Sequence, residues 1–327
     1  MIKTLVFVAG LVILGLASCK KKDVPQVDFA GEMRQFVIEI SANAKAVNPE
    51  FLIIPQNGVE LVTNSTEEDT DIATDYLAAI DGYGQEDLFY GYKRDDRPTP
   101  EIETNRLLHY LRLLEDNDIE VLVTDYCKTT DYMDDSYVRS LANNFIGFAA
   151  PERNLSVIPT YPETIYAENA EDVSTLSQAK NFLYLINKAK EYSDKGQFID
   201  AVNATNYDLI IMDRDFGGEQ FTAAEIESLK QKKNGGARLV IAYMSIGEAE
   251  DYRSYWKKEW EKKKTEPSWL YDENRKWRGN YKVFYWMPEW KAYIYGNEEA
   301  YLTSLLNLGF DGAYLDIIDA YEFYEEM

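Results

Sequence analysis

Asp208-Leu209-Ile210-Ile211-Met212-Asp213 decides the fold. Four apolar residues stand between two carboxylates with no polar alternation. Such a run reads as a strand buried on both faces, the situation of a parallel strand covered by helices. Working outward, the same kind of run recurs. Downstream lie Arg238-Leu239-Val240-Ile241-Ala242-Tyr243 and the stretch Gly312 to Asp316. Upstream lie Phe182-Leu183-Tyr184-Leu185-Ile186, Phe145 to Ala149, Glu120-Val121-Leu122-Val123-Thr124-Asp125, Leu77 to Asp81, and Phe51-Leu52-Ile53-Ile54-Pro55. Helical spacing of apolar residues separates them, most clearly over Glu103–Asp116, Thr222–Lys233 and Asn297–Leu308, where Gly309 supplies a stop. A further helix, about Gly31 to Ala46, precedes the first strand. Eight strands alternating with helices predict an α/β fold, a (β/α)8 TIM barrel. A doubly wound open sheet is the alternative, but no Gly-x-Gly-x-x-Gly follows the first strand. Residues 151–180 break the rhythm as a long irregular connection, and residues 251–296 form a longer excursion.

The composition fits that architecture and narrows the chemistry. Of 327 residues, 46% are hydrophobic and 28% charged, as in a globular chain with a large core. Lys and Arg number 34 against 57 Asp and Glu, a net charge of −23. A field of that sign repels phosphate backbones, so nucleic acid is not an expected partner; a cationic or neutral polymer is compatible. The single histidine, His109, sits in the helical run Leu107 to Leu111. A His-rich zinc site is therefore excluded, and a Ser-His-Asp triad would have to use that one ring. Acid–base chemistry falls to carboxylates and tyrosines.

Residues 1–18 read as a lipoprotein signal peptide. A short basic start, Met1-Ile2-Lys3, leads into an apolar run from Leu5 to Leu16, too short to span a bilayer comfortably. Leu16-Ala17-Ser18-Cys19 then resembles a lipobox, with Cys19 the expected lipidation site. The chain would be a lipid-anchored protein of the bacterial cell envelope, with residues 19–30 a Lys-rich tether and 31–327 a single barrel domain. Processing leaves Cys127 alone, so no intramolecular disulfide is available.

Carboxylates gather where strands end: Asp81 with Glu86 and Asp87, Asp125, Asp213 with Asp215, Glu248 with Glu250, and Asp316 with Asp319. In a barrel all these ends face one mouth, where barrel enzymes hold their active sites. A ring of acids without histidine suits glycosidic-bond cleavage by two carboxyl groups. It would also suit Mg²⁺ or Ca²⁺, although the acids are dispersed and no EF-hand loop appears; no metal or other cofactor is expected. All six tryptophans, Trp256 to Trp290, fall in the excursion. Most large aromatics serve packing, with Tyr285, Trp286 and Trp277 the best candidates for faces that stack on sugars.

Three stretches resemble a bacterial and archaeal family of secreted barrels related to the endo-α-1,4-polygalactosaminidases of glycoside hydrolase family 114. They are Tyr243-Met244-Ser245-Ile246-Gly247-Glu248-Ala249-Glu250-Asp251-Tyr252-Arg253, Gly279-Asn280-Tyr281-Lys282-Val283 through Tyr285-Trp286, and Gly309 through Tyr321. Ile54 to Gly58, Ile80 to Phe89 and Val123 to Tyr126 are similar to it as well. The resemblance implies a glycoside hydrolase acting on an α-linked, galactosamine-type polysaccharide without a cofactor. Asp316 matches the family's strand-end catalytic Asp, with Ile317 in place of the following Asn. Glu86 matches the second carboxylate on a circularly shifted strand order, which puts strands eight and two on either side of strand one. Asp125, Asp213, Glu248, Glu250 and Asp319 would hold amines and hydroxyls, and Tyr243, Tyr285 and Trp286 would be platforms. The chain is expected to act as a monomer. The rival reading is a non-catalytic glycan-binding surface lipoprotein on the same scaffold.

Overall fold

The computed structural model describes residues 22, 24–65, 71–188 and 190–327. The signal peptide and Cys19 lie outside the described residues. Eight parallel strands run in barrel order: β1 Leu52–Pro55, β2 Gly82–Glu86, β3 Glu120–Tyr126, β4 Ile146–Ala150, β5 Phe182–Leu185, β6 Leu209–Met212, β7 Leu239–Ser245 and β8 Gly312–Asp316. β8 pairs with both β7 and β1, placing Tyr314 level with Tyr243 and Ile54. The β1–β2 seam is narrower, a single parallel bridge between Gln56 and Gly84. β4 lies beside β5, where Phe148 packs on Phe182 at 5.4 Å. The ring is a (β/α)8 barrel.

The uninterrupted apolar runs behave as their composition requires. Every residue of β5, β6 and β7 is buried, between the barrel interior and the helices outside. The outer elements are α1 Phe29–Val47, α2 Thr74–Leu77, α3 Glu101–Glu115, α4 Thr130–Ala142, α5 Lys195–Asn203, α6 Ala223–Leu229, α7 Pro288–Ile294, α8 Tyr301–Leu308 and α9 Ala320–Glu325. α1 starts two residues earlier than its periodicity suggests, because the Asp28 side chain caps it by accepting from Gly31 N at 2.8 Å. α6 is shorter than the Thr222–Lys233 pattern, opening on a Thr222–Glu225 capping box and ending at Leu229. α8 stops at Gly309, whose φ of 81° closes its last turn. Among the described residues, no helix is long and apolar enough to cross a membrane.

The second strand is a correction. Leu77 to Asp81 is not extended: Leu77 ends α2, and the strand is the next five residues, Gly82-Tyr83-Gly84-Gln85-Glu86. Glycines weaken a strand's sequence signal, but here one is required by packing. A Cβ on Gly84 would collide with the phenol of Tyr314, which fills the barrel interior from β8. The shift also moves Asp81 to the opposite end of the barrel, where it accepts from Ile53 N at 2.8 Å and Lys45 Nζ at 3.0 Å. Asp81 is no part of the mouth.

The two departures from βα rhythm are both real. β4 reaches β5 through residues 151–181, with only a short 3₁₀ turn at Leu176–Gln178. The excursion after β7 builds its own antiparallel sheet, in which Asn280–Val283 lies between Glu248–Glu250 and Leu270–Glu273.

Candidate active site

Gln56 and Asn57 directly follow β1, and these two amides organise the mouth. Gln56 Nε2 donates to Glu86 Oε2 at 3.2 Å and to Asp316 Oδ1 at 2.8 Å. The barrel order makes this possible, since β1 stands between β2 and β8. Asn57 Nδ2 donates to the same Glu86 oxygen at 2.8 Å, and its carbonyl oxygen accepts from Glu86 N at 3.1 Å. Tyr126, at the end of β3, donates its hydroxyl to Glu86 Oε1. Asp316 Oδ1 also accepts from Ile317 N at 2.8 Å, and its other oxygen, Oδ2, accepts from Tyr243 OH at 2.7 Å. Beneath the pair lie the buried rings of Tyr126, Tyr184, Tyr243 and Tyr314, with Tyr184 edge-on to Tyr314 at 5.2 Å.

Two carboxylates sharing one donor on an aromatic floor cannot both ionise easily. Loss of solvent, and then the charge of Glu86, push the Asp316 carboxyl up to about 8, against the donors Tyr243 and Ile317 N. Asp319, three residues on, is raised to about 7 by loss of solvent and by Glu322, Glu86 and Glu248. Asp87, beside Glu86, is also raised to about 7 by burial, although Arg153 donates to both its oxygens, at 2.7 and 3.2 Å. Arg153 comes from the long β4–β5 connection and lies over the Tyr126 ring at 3.9 Å, so one guanidinium braces the residue that holds Glu86.

The other expected site residues divide. Glu248 faces this region, accepting from Asn274 Nδ2 at 2.9 Å and pairing with Lys282 at 3.5 Å; burial raises its carboxyl. Tyr243 is buried, and its role is to hold Asp316 rather than to form an open platform. Asp125 is fully buried, taking Phe89 N, Tyr90 N and the Ser136 hydroxyl, so it fastens the loop after β2 and is closed to a ligand. Asp213 and Glu250 are both engaged by the buried Arg253, Asp213 at 2.6 Å, and form a bracing network under the excursion. Tyr285 is fully buried with its hydroxyl on Phe29 O, so it cannot serve as a platform. Trp286 packs against Phe29, Phe284 and Tyr324, with ring centroids 4.9–5.1 Å away, and joins the excursion to α1 and α9. Trp277 alone among the tryptophans is strongly exposed, at 49%.

Gln56, Asn57, Tyr126 and Arg153 carry functional contacts that residue-type reasoning did not assign. The available signal was position: Gln56 and Asn57 directly follow β1 as the carboxylates follow other strands. Among the described residues, no group of three or more His, Cys, Asp or Glu side chains is arranged to hold a metal. His109 lies on the exposed face of α3, away from this chemistry.

Residues 166–326 match glycoside-hydrolase family GH114. The match runs through the second half of the barrel and includes Asp316 and the excursion, while Glu86 lies in the half before it. An uncharacterized protein of Methanocaldococcus jannaschii is 40% identical over 161 residues, 48% of this chain and 43% of that protein. One from Deinococcus radiodurans is 41% identical over 125 residues, 38% of this chain and 37% of its own length. One from Thermotoga maritima is 34% identical over 125 residues, 38% and 36% of the respective lengths. The chain thus spans less than half the length of the curated relatives it matches.

Proposed function

We propose that this protein is a glycoside hydrolase cleaving an α-linked amino-sugar polysaccharide of the galactosamine type, with Asp316 and Glu86 as its carboxylate pair. The observation that carries the reading is the Gln56 amide held between them. Because both oxygens bond one nitrogen, they are no farther apart than those two short bonds laid end to end. So close a pair of oxygens fits retaining glycosidases, whose carboxyl groups stand ~5–5.5 Å apart, better than inverting ones at ~6.5–9.5 Å. Asp316, raised by burial, is the proton donor to the leaving glycosidic oxygen. Glu86, fixed by Gln56, Asn57 and Tyr126, attacks the anomeric carbon. Water then resolves the glycosyl ester, with Asp316 as the base. Asp319, raised to about 7, and Glu248 stand beside the pair, and a protonated amine on the sugar would favour their ionised forms. The GH114 match supports glycosidase chemistry; the acidic mouth supports the amino sugar.

The test is incubation of the purified mature protein with α-linked galactosamine and galactosaminogalactan polymers. Cleavage should be lost in Asp316→Asn by roughly 10²–10⁴-fold, the usual worth of general acid–base help, while oligosaccharide binding survives. A loss below tenfold would remove Asp316 as the acid, and oligosaccharide binding by a wild-type protein that cleaves none of these polymers would favour the non-catalytic glycan-binding reading. Monomeric action in the cell envelope, anchored through lipid on Cys19, belongs to the same proposal.

A further inference from the structure

A cavity of about 830 Å³ opens in the excursion and is lined by none of the residues around Glu86 and Asp316. Its volume lies within the ~300–1,000 Å³ of small-molecule sites. We propose that it is a second saccharide-binding site, taking a further amino-sugar unit of the same polymer; this rests on the glycosidase reading of the mouth.

Tyr255, Trp256, Trp269 and Tyr293 line it as flat apolar faces. Each is held from behind, so their orientations are set before any ligand arrives. Trp256 lies against Tyr281 at 4.7 Å and Trp260 at 5.3 Å, and Trp269 against Trp290 at 4.9 Å. The Trp256 indole N–H is buried yet has no acceptor in the protein. A buried donor left unpaired is costly, and a sugar hydroxyl in the cavity would satisfy it. Around the rings stand exposed hydrogen-bonding groups, among them Ser254, Ser268 and Asn297. Flat apolar faces bordered by polar groups match a pyranose, which has C–H faces and a hydroxyl edge. Glu289 and Glu299 stand against Lys257 in the lining, and Arg214 at the cavity wall is already paired with Asp215 at 2.9 Å, so the balance of charge around the rings still favours an ammonium group. The site is tied to the barrel: Arg214 also donates to Ser254 Oγ at 3.2 Å, and the neighbouring Arg253 bonds Asp213 just beyond β6.

Two sites on one rigid chain bind a long polymer more tightly than a short one, since the second contact becomes intramolecular. Ala292 is an exposed residue of the lining, so Ala292→Trp fills the cavity without removing any packed ring. Affinities are measured on the full chain carrying Asp316→Asn, so that nothing is cleaved, using an α-1,4-galactosamine polymer and a short oligosaccharide of it. Adding Ala292→Trp should weaken polymer binding about tenfold. In the otherwise wild-type chain the same substitution should leave kcat on the short oligosaccharide within twofold. Tyr293→Ala, with its melting temperature checked, should reproduce the loss by removing one of the lining rings. Unchanged polymer affinity in folded Ala292→Trp overturns the second site and leaves the mouth reading intact. If the otherwise wild-type chain neither binds nor cleaves the short oligosaccharide, the mouth reading fails and the cavity loses its ligand with it.

Discussion

Asp316 sits between opposed influences. Burial and Glu86 raise it, while Tyr243 OH at 2.7 Å, Ile317 N and the Gln56 amide favour its ionised form. If protonated Asp316 is the acid, the cleavage rate falls as pH rises through about 8. Deleting the Tyr243 donor should raise the group further. Tyr243→Phe is thus expected to move the alkaline limb of the rate–pH profile upward by about half to one pH unit, the scale of one hydrogen bond of ~1 kcal/mol. Rates from pH 5 to 10 would show it; an unmoved or lowered limb would separate that limb from Asp316. The carboxylates themselves were legible in the sequence, because acids at strand ends stand out against apolar runs. Gln56 and Tyr126 were not, since an amide or a phenol beside a strand has no pattern of its own until the barrel brings β1, β2, β3 and β8 together.

Among the elements, the seven strands with near-continuous apolar runs were legible and the glycine-bearing β2 was not. Its identity depends on Tyr314, more than two hundred residues later, needing the space above Gly84. The excursion was legible as an interruption, but the roles of its rings were not. An aromatic run carries the same sequence whether it faces ligand or neighbours. Trp286 decides between these at the level of packing. Its ring lies 5.1 Å from Phe29, 5.1 Å from Phe284 and 4.9 Å from Tyr324, so it joins the excursion to α1 and α9. Trp286→Ala should therefore lower the melting temperature markedly, approaching the ~3–5 kcal/mol of large-aromatic truncation but reduced by the ring's partial exposure. Oligosaccharide affinity of the folded fraction should stay within twofold. A strong affinity loss at constant melting temperature would return Trp286 to the sugar platform.

The molecule as a whole is an acidic barrel proposed to work near a membrane. Cys19→Ala should release it from the membrane fraction or block its maturation; unchanged retention with no lipid mass on the N-terminal peptide would defeat the anchor. The barrel's stability should also follow pH in a direction set by its mouth. Burial raises Asp316 to about 8, Asp87 and Asp319 to about 7 and Asp125 to about 6, all from an ordinary value of 3.8. Between their ordinary and raised values the folded chain binds more protons than the unfolded chain, so stability declines as pH rises through that window. Glu39, Asp96 and Glu225 oppose this only at lower pH. Hydrogen bonds from Lys291, Thr129 and Thr222 hold them below their ordinary values despite partial burial, so their contribution is lost only as pH falls below about 4. The net charge of −23 at neutral pH acts in the same direction as the raised acids, because partial protonation relieves self-repulsion. Thermal melts should therefore give a higher Tm at pH 5.5 than at pH 8.5. The double variant Asp316→Asn, Asp319→Asn should flatten that slope, since an amide has no proton to lose on unfolding, whereas salt should flatten only the part due to general repulsion. A Tm that rises from pH 5.5 to 8.5, or a slope the double variant leaves unchanged, would mean these carboxyls are ionised in the folded barrel. Asp316 could not then be the proton donor at neutral pH.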